Sequence, residues 1–254
     1  MSDNGLVVER KKRYIIVTIN RPPVNALNQA TVVALDSLLD ELREDKEVRA
    51  LIITGAGDKM FSAGADLNEP LGGLENLKYW QDIGSKIAGY PKPIIAAFNG
   101  HALGGALEFA FACHFRIMKE TAYACLAESN LGIFPGSGGT QRLPLLVGTS
   151  KALEYMIFAT KVPADECLRV GMVDKLAKEG ETLQEAEKLA EALAERSPLA
   201  TKMIIDCVNR GVGAYIEEGL KVERENFEEL IHSDDYEEGA KAFMEKRKPN
   251  FKGI

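Results

Sequence analysis

Histidine, tryptophan and cysteine are scarce in this chain of 254 residues, with three, one and four copies. The cysteines, Cys113, Cys125, Cys167 and Cys207, are widely spaced and form no C-x-x-C pair. That pattern argues against a disulfide framework or a zinc site and for reduced thiols in a cytosolic protein. The histidines, His101, His114 and His232, make no convincing Ser/His/Asp set, and G-x-S-x-G is missing, which removes the common serine-hydrolase layouts. Trp80 is the single tryptophan, too little to furnish the aromatic platforms of a glycosidase, even one built on paired carboxylates. No apolar run reaches the ~20 residues that span a bilayer. The opening MSDNGLVVERKK lacks the basic-then-apolar order of a secretory leader. Positive charge is also in deficit. A formal net charge of −7 argues against general nucleic-acid binding.

What remains is a globular composition, 46% hydrophobic and 27% charged, which excludes a disordered chain. The length suits one large domain or a domain with an appendage. LVVER and RYIIVTIN read as two β-branched strands around a basic turn. Asn28 is placed to cap a helix running to about Glu44, with Leu35, Leu38, Leu39 and Leu42 as its apolar stripe. RALIITG and KPIIAAFNG read as buried strands, and HFRIMKE and AYACLAE as shorter ones. DKMFSAGADLNEP reads as a loop, and LENLKYWQDIGSKIAGY as a helix. From residue 140 onward the apolar spacing is almost continuously helical, interrupted by Gly and Pro. The order is strands first and helices last, with no repeat or low-complexity tract.

Three constellations carry chemistry. In NGHALGGALEFA, a helix beginning near Gly104 would offer first-turn amides without intrahelical partners, a favourable end for an anion or a polarised carbonyl oxygen. Glu108, three residues after Gly105, falls on the same helix face. In FSAGADL, the small residues Ser62 to Ala65 leave the backbone accessible, so a second amide can face the first; two such donors form an oxyanion hole. Packing glycines, a plain turn and a capping Asp66 are the ordinary readings of both stretches. In CLAESNLGIFPGSGGTQRLP, Glu128 lies between a strand and a loop holding Gly132, Gly136, Gly138 and Gly139. No G-K-[ST] follows and the first βα unit lies elsewhere, which excludes a phosphate loop. The loop is expected to position Glu128 and feed a helix near Thr140. His101 is near enough to line the site.

Taken together, NRPPVNALN, FSAGADL, NGHALGGALE, AESNLGIFPGSGGTQRLP and FMEKRKPNF, in that order over nearly the whole chain, resemble the enoyl-CoA hydratase/isomerase (crotonase) superfamily. The resemblance implies an α/β fold, a crotonase-like spiral of ββα units with a helical C-terminal trimerisation region. Residues 1–195 would form the core with the active site, and residues 196–254 the region for oligomerisation and coenzyme A contact. It puts the oxyanion-hole amides on Ala65 and Gly105 and the catalytic glutamates on Glu108 and Glu128. Substrate and coenzyme contacts fall on Val24, Ala26, Ala63, Gly64, Asp66, Leu67, Gly104 and Lys246. The implied partner is an acyl-CoA thioester, with no metal and no separate cofactor, because coenzyme A belongs to the substrate. The implied assembly is a homotrimer or a homohexamer, without nucleic acid or membrane.

Possession of both glutamates points to a hydratase, acting on a 2,3-double bond in either direction. A Δ3,Δ2-enoyl-CoA isomerase needs mainly one carboxylate. An alicyclic or dienoyl-CoA hydratase would use the same pair in a differently shaped pocket. An inactive scaffold or RNA-binding relative would show a damaged site, and none is visible. Ala106 stands where the family has a third glycine and Ala127 where many hydratases have proline; both bear on pocket shape. Leu71, Trp80 and Phe134 are candidates for an acyl pocket, although the core is the ordinary place for such residues. Lys246, Arg247, Lys248 and Lys252 make a local basic patch for an anionic coenzyme, or simply a solvated terminus.

Overall fold

The computed structural model describes residues 4–69 and 73–250; Leu71 and Lys252, singled out above, lie outside them. The chain opens with β1 (Leu6–Arg10) and β2 (Tyr14–Ile19), an antiparallel pair with Leu6 opposite Ile19. Helix α1 (Gln29–Arg43) follows, and the Asn28 side chain accepts the Thr31 amide as the expected N-cap. Leu35, Leu39 and Leu42 are its buried stripe.

Three similar turns of chain come next. The first is β3 (Ala50–Gly55), β4 (Met60–Ser62) and α2 (Leu74–Ala88). The second is β5 (Ile94–Phe98), β6 (His101–Leu103) and α3 (Gly104–Ala112). The third is β7 (Phe115–Lys119), β8 (Tyr123–Cys125) and a 3-10 helix, Glu128–Leu131. In each turn one strand joins a six-stranded sheet beginning β1-β2-β3-β5-β7 and the next joins a four-stranded sheet beginning β4-β6-β8. Within each sheet these successive strands are parallel neighbours. This is the expected spiral of ββα units. Strands β3 and β5 are buried at every position, which is why they read as unbroken apolar runs rather than alternating ones.

The second half is α4 (Gly139–Val147), α5 (Thr149–Ile157), β9 (Val162–Pro163), α6 (Ala164–Arg169), β10 (Lys175–Ala177), α7 (Thr182–Ala194), α8 (Pro198–Ile231) and α9 (Asp234–Met244). Two strands therefore interrupt the expected helical half. β9 pairs antiparallel with β8 at the edge of the small sheet, a position that tolerates Pro163. β10 pairs with β7 and completes the large sheet. Helix α8 also runs unbroken through Gly211 and Gly213, where a break was expected. Each glycine costs only about 1 kcal/mol in a helix, so glycine alone does not force a break. No described helix is long and apolar enough to cross a membrane.

Candidate active site

The spiral decides what meets at the site. β4, β6 and β8 lie side by side and parallel, so the segments that leave their C-terminal ends emerge together, about 5 Å apart. These segments are the FSAGADL loop after β4, the first turn of α3 after β6, and the 3-10 helix after β8. They carry Ala65, Gly105 and Glu128. All three line one cavity of about 650 Å³, as do Glu108, Val24, Ala26, Ala63, Asp66, Leu67 and Gly104.

The backbone of the first two segments is in contact. A Cβ built on Gly64 would lie 3.0 Å from the Leu103 carbonyl oxygen and 3.2 Å from the Gly105 nitrogen. Gly64 itself has φ +89°, a left-handed conformation that glycine adopts without the strain a side chain brings. It sits beneath the cavity lining rather than on it. The amides around Ala65 are committed: Ala63 to Val24, Gly64 to the Ser62 hydroxyl, and Asp66 to Leu27. Among the described residues, no backbone hydrogen bond outside the helices and strands uses the Ala65 or Gly105 amide. Gly105 lies in the first turn of α3, where the amides lack intrahelical acceptors.

The two glutamates converge on the same turn. A Cβ on Gly104 would stand 3.3 Å from Glu128 Oε1, and one on Gly105 3.9 Å from Glu108 Oε2. Glu108 is 2% exposed. Its Oε1 accepts the Ser137 amide at 2.8 Å and the Gly139 amide at 2.7 Å. The glycine-rich loop therefore holds Glu108, not Glu128 as its sequence neighbourhood suggested. Glu128 Oε2 is shielded and has no hydrogen-bond partner among the described residues. Burial raises the Glu108 carboxyl well above its usual range; the nearby Glu128 and Glu223 add to this and the two amides oppose it. Burial likewise pushes Glu128 up to about 7. Two carboxyls this close in a poorly solvated place resist double ionisation and share protons as a unit.

The remaining candidates divide. Trp80 and Phe134 line the cavity, joined by Leu77, Ile133 and Phe227. Ala127 faces the cavity, whereas Ala106 is packed in the core away from it. His101 does not line the cavity. Its ring stacks on Tyr123 at 3.9 Å and its Nδ1 accepts the Tyr123 amide. Asp66 is held by Arg21 at 3.0 Å and by the Asn68 amide; with the Asn68 bond foremost, these contacts keep its carboxyl below the usual range.

Lys246 is exposed and does not line the cavity. It stands just past Phe243 and Met244, which do. Its backbone is left-handed at φ 54°, and the Arg247 and Lys246 amides close the end of α9 on Ala242 and Phe243, a Schellman cap. Arg247 is not free for an anion, because Glu238 and Glu245 hold it, each at 2.6 Å.

Sequence reasoning missed three features: the 137/139 amide grip, the helix α8 contribution through Phe227, and a third buried carboxylate, Glu223. The last had a signal. Leu220, Glu223 and Phe227 share one helix face, and all three are buried. Among the described residues, no group of three or more His, Cys, Asp or Glu is arranged to hold a metal.

Comparison with known proteins places the whole chain. Residues 9–254 match the family model described as enoyl-CoA hydratase/isomerase. A probable enoyl-CoA hydratase of Bacillus subtilis is 44% identical, over 94% of this chain and 95% of its own. A short-chain-enoyl-CoA hydratase of Clostridium acetobutylicum is 39% identical, over 98% and 97%. The crystal structure of a carnitinyl-CoA hydratase from Mycobacterium avium superposes with a TM-score of 0.89 at 34% identity, covering both chains completely, 100% of each. With five motifs in order, the spiral of strand pairs and a match over nearly its whole length, the chain belongs to the enoyl-CoA hydratase/isomerase family.

Proposed function

We propose that this protein is an enoyl-CoA hydratase, adding water across the 2,3-double bond of an enoyl-CoA thioester or removing it in reverse. The observation that carries the reading is the pair of carboxyls with raised pKa, Glu108 and Glu128, facing one glycine turn inside one cavity. The thioester oxygen takes the Ala65 and Gly105 amides. As negative charge grows on that oxygen in the transition state, the two donors stabilise it more than they stabilise the ground state. The carbon at position 3 then becomes electrophilic. A water held between Glu108 and Glu128 bonds through its oxygen to that carbon and gives a proton to the ionised carboxylate. The electron pair of the double bond moves toward the thioester, and the carbon at position 2 takes a proton from the protonated carboxyl. One water is consumed, and the pair ends with the single proton it began with.

In this reading Val24, Ala26, Ala63, Gly64, Asp66, Leu67 and Gly104 shape the thioester end of the site, and Lys246 meets the coenzyme phosphates. The coenzyme belongs to the substrate and no separate cofactor is required. Residues 196–254 serve oligomerisation and coenzyme contact beside a core of residues 1–195. Leu199, Met203, Ile204, Val208 and Tyr215 leave an apolar stripe of α8 exposed, which supports its burial against further copies of the chain; in this reading the assembly is a homotrimer, alone or paired as a homohexamer, and the compartment is the cytoplasm. The test is a panel of enoyl-CoA thioesters of graded acyl length, followed by loss of the conjugated enoyl absorbance. Turnover is expected for the wild type and is expected to collapse in Glu108→Gln and Glu128→Gln. A folded wild type that hydrates none of the panel refutes the proposal.

A further inference from the structure

Glu223 is the third glutamate buried near the site. It is 2% exposed and lies on α8, outside the sequence motifs. Its Oε2 accepts the Gly138 amide at 3.0 Å and the Gln81 side-chain amide at 3.1 Å. Its Oε1 accepts the Thr140 hydroxyl. Three successive amides of one loop are thereby divided between two carboxylates: Ser137 and Gly139 bind Glu108, and Gly138 between them binds Glu223. The loop carbonyls are tied as well. Gln81 donates to Gly136 at 2.9 Å, and Arg142 donates to Ser137 at 3.1 Å.

A buried carboxylate is a poor choice if stability alone is served, since apolar groups of similar volume often do better. What the carboxylate provides is a fixed acceptor that fastens the middle of the loop and leaves the flanking amides aimed at Glu108. With Oε1 of Glu108 occupied by both amides, its Oε2 is the oxygen left near Gly105. We propose that Glu223 is a positioning residue: from α8 it clamps loop 136–140, and through the Ser137 and Gly139 amides it sets the angle at which Glu108 meets the substrate. The kinetic part of this proposal rests on the hydratase reading above.

The experiment compares Glu223→Ala, Glu223→Gln and the wild type by steady-state hydration kinetics and by amide hydrogen exchange at Ser137 and Gly139. Misplacing a reacting group by about 1 Å costs on the order of 10²-fold in rate. Glu223→Ala is therefore expected to lower kcat by about 10- to 100-fold, with KM within about twofold, and to speed exchange at both amides. Gln retains an acceptor for Gly138 and Gln81 and can donate to Thr140, so Glu223→Gln is expected within about threefold of wild type. If Glu223→Ala does not fold, Glu223→Asp, which withdraws the carboxylate by one methylene, carries the test with an expected loss of about tenfold. A folded Ala or Asp variant with wild-type kcat overturns the proposal, and so does a Gln variant as impaired as Ala. A wild type without hydratase activity sinks the functional reading alone. The clamp is then decided by exchange, and unchanged protection at Ser137 and Gly139 refutes it.

Discussion

Substituting Gly64 by alanine drives a methyl group between the two loops that carry the candidate oxyanion amides. The added carbon would stand 3.0 Å from the Leu103 carbonyl oxygen, 3.1 Å from Gly104 Cα and 3.2 Å from the Gly105 nitrogen. Carbon contacts relax to about 3.5–4.0 Å, so the loops must separate by several tenths of an ångström. All three obstacles are main chain and cannot swing aside. Two costs follow. Alanine at φ +89° adds about 1–2 kcal/mol of left-handed strain, a loss of about 2–8 °C in Tm for a chain of this size. Separating the amides weakens at least one donor to the thioester oxygen, and loss of one such donor lowers kcat by about 10²–10³. Gly57 supplies the control. It has φ +80° with nothing within 4 Å of its added carbon, so Gly57→Ala brings the strain without the wedge. Differential scanning calorimetry should show both variants destabilised, while enoyl-CoA hydration should fall about 100-fold in Gly64→Ala only. A folded Gly64→Ala with kcat within threefold of Gly57→Ala would refute the argument that these loops must touch.

Glu108→Gln and Glu128→Gln should each lower kcat by about 10²–10⁴ while the fold persists, because each removes one partner in proton transfer; circular dichroism beside the kinetics separates this from unfolding. With Glu128 pushed up to about 7 and Glu108 raised well above its usual range by burial and by the Glu128 charge, the singly protonated pair forms as Glu128 ionises, so the wild-type rate should rise as pH passes through about 7, which a pH–rate profile reads directly. The same shift makes Glu128 a stability liability. Its folded pKa lies above its unfolded one, so stability is fully present below the unfolded value and is lost as pH rises to about 7. Across that window Glu128→Gln should gain about 3 kcal/mol relative to wild type, measured as a widening Tm gap that stops growing above neutrality. Lys246→Ala should raise KM for CoA thioesters, with the effect shrinking in high salt. Arg247→Ala should raise it less, because Glu238 and Glu245 already hold that guanidinium.

The large sheet was legible because burial on both faces leaves continuous apolar runs, as in β3 and β5. Helix α1 was legible because Asn28 both breaks the pattern and caps it. Strands β4, β6, β9 and β10, each two or three residues long, are too short to show any period, and only the topology gives them meaning. The site divides similarly. The roles proposed for Ala65, Gly105, Glu108 and Glu128 rest on motifs in register with a family. The amides that hold Glu108 were not, because a main-chain donor leaves no residue type to recognise. Glu223 left a trace, a charge on the buried stripe between Leu220 and Phe227, but polar residues surround it in KVERENFEEL and hide that face until the helix is packed.

The glycine run PGSGG illustrates why the type of an anion is harder to read than the need for one. Its spacing invites a phosphate, and the absence of G-K-[ST] excludes that. The physical function of the run is nevertheless anion binding, since successive amides at Ser137, Gly138 and Gly139 all end on carboxylate oxygens. The anions belong to the protein itself. A side chain at Gly139 would put a carbon 2.8 Å from Glu108 Oε1, so close approach of carboxylate to backbone requires glycine there for the reason a bound phosphate would. Intramolecular anions differ from a ligand in one respect: they are present before substrate arrives. The loop, α8 and Glu108 are therefore assembled in advance, and the work left to the substrate is to place its thioester oxygen. That is the arrangement in which electrostatic stabilisation of a transition state needs least reorganisation.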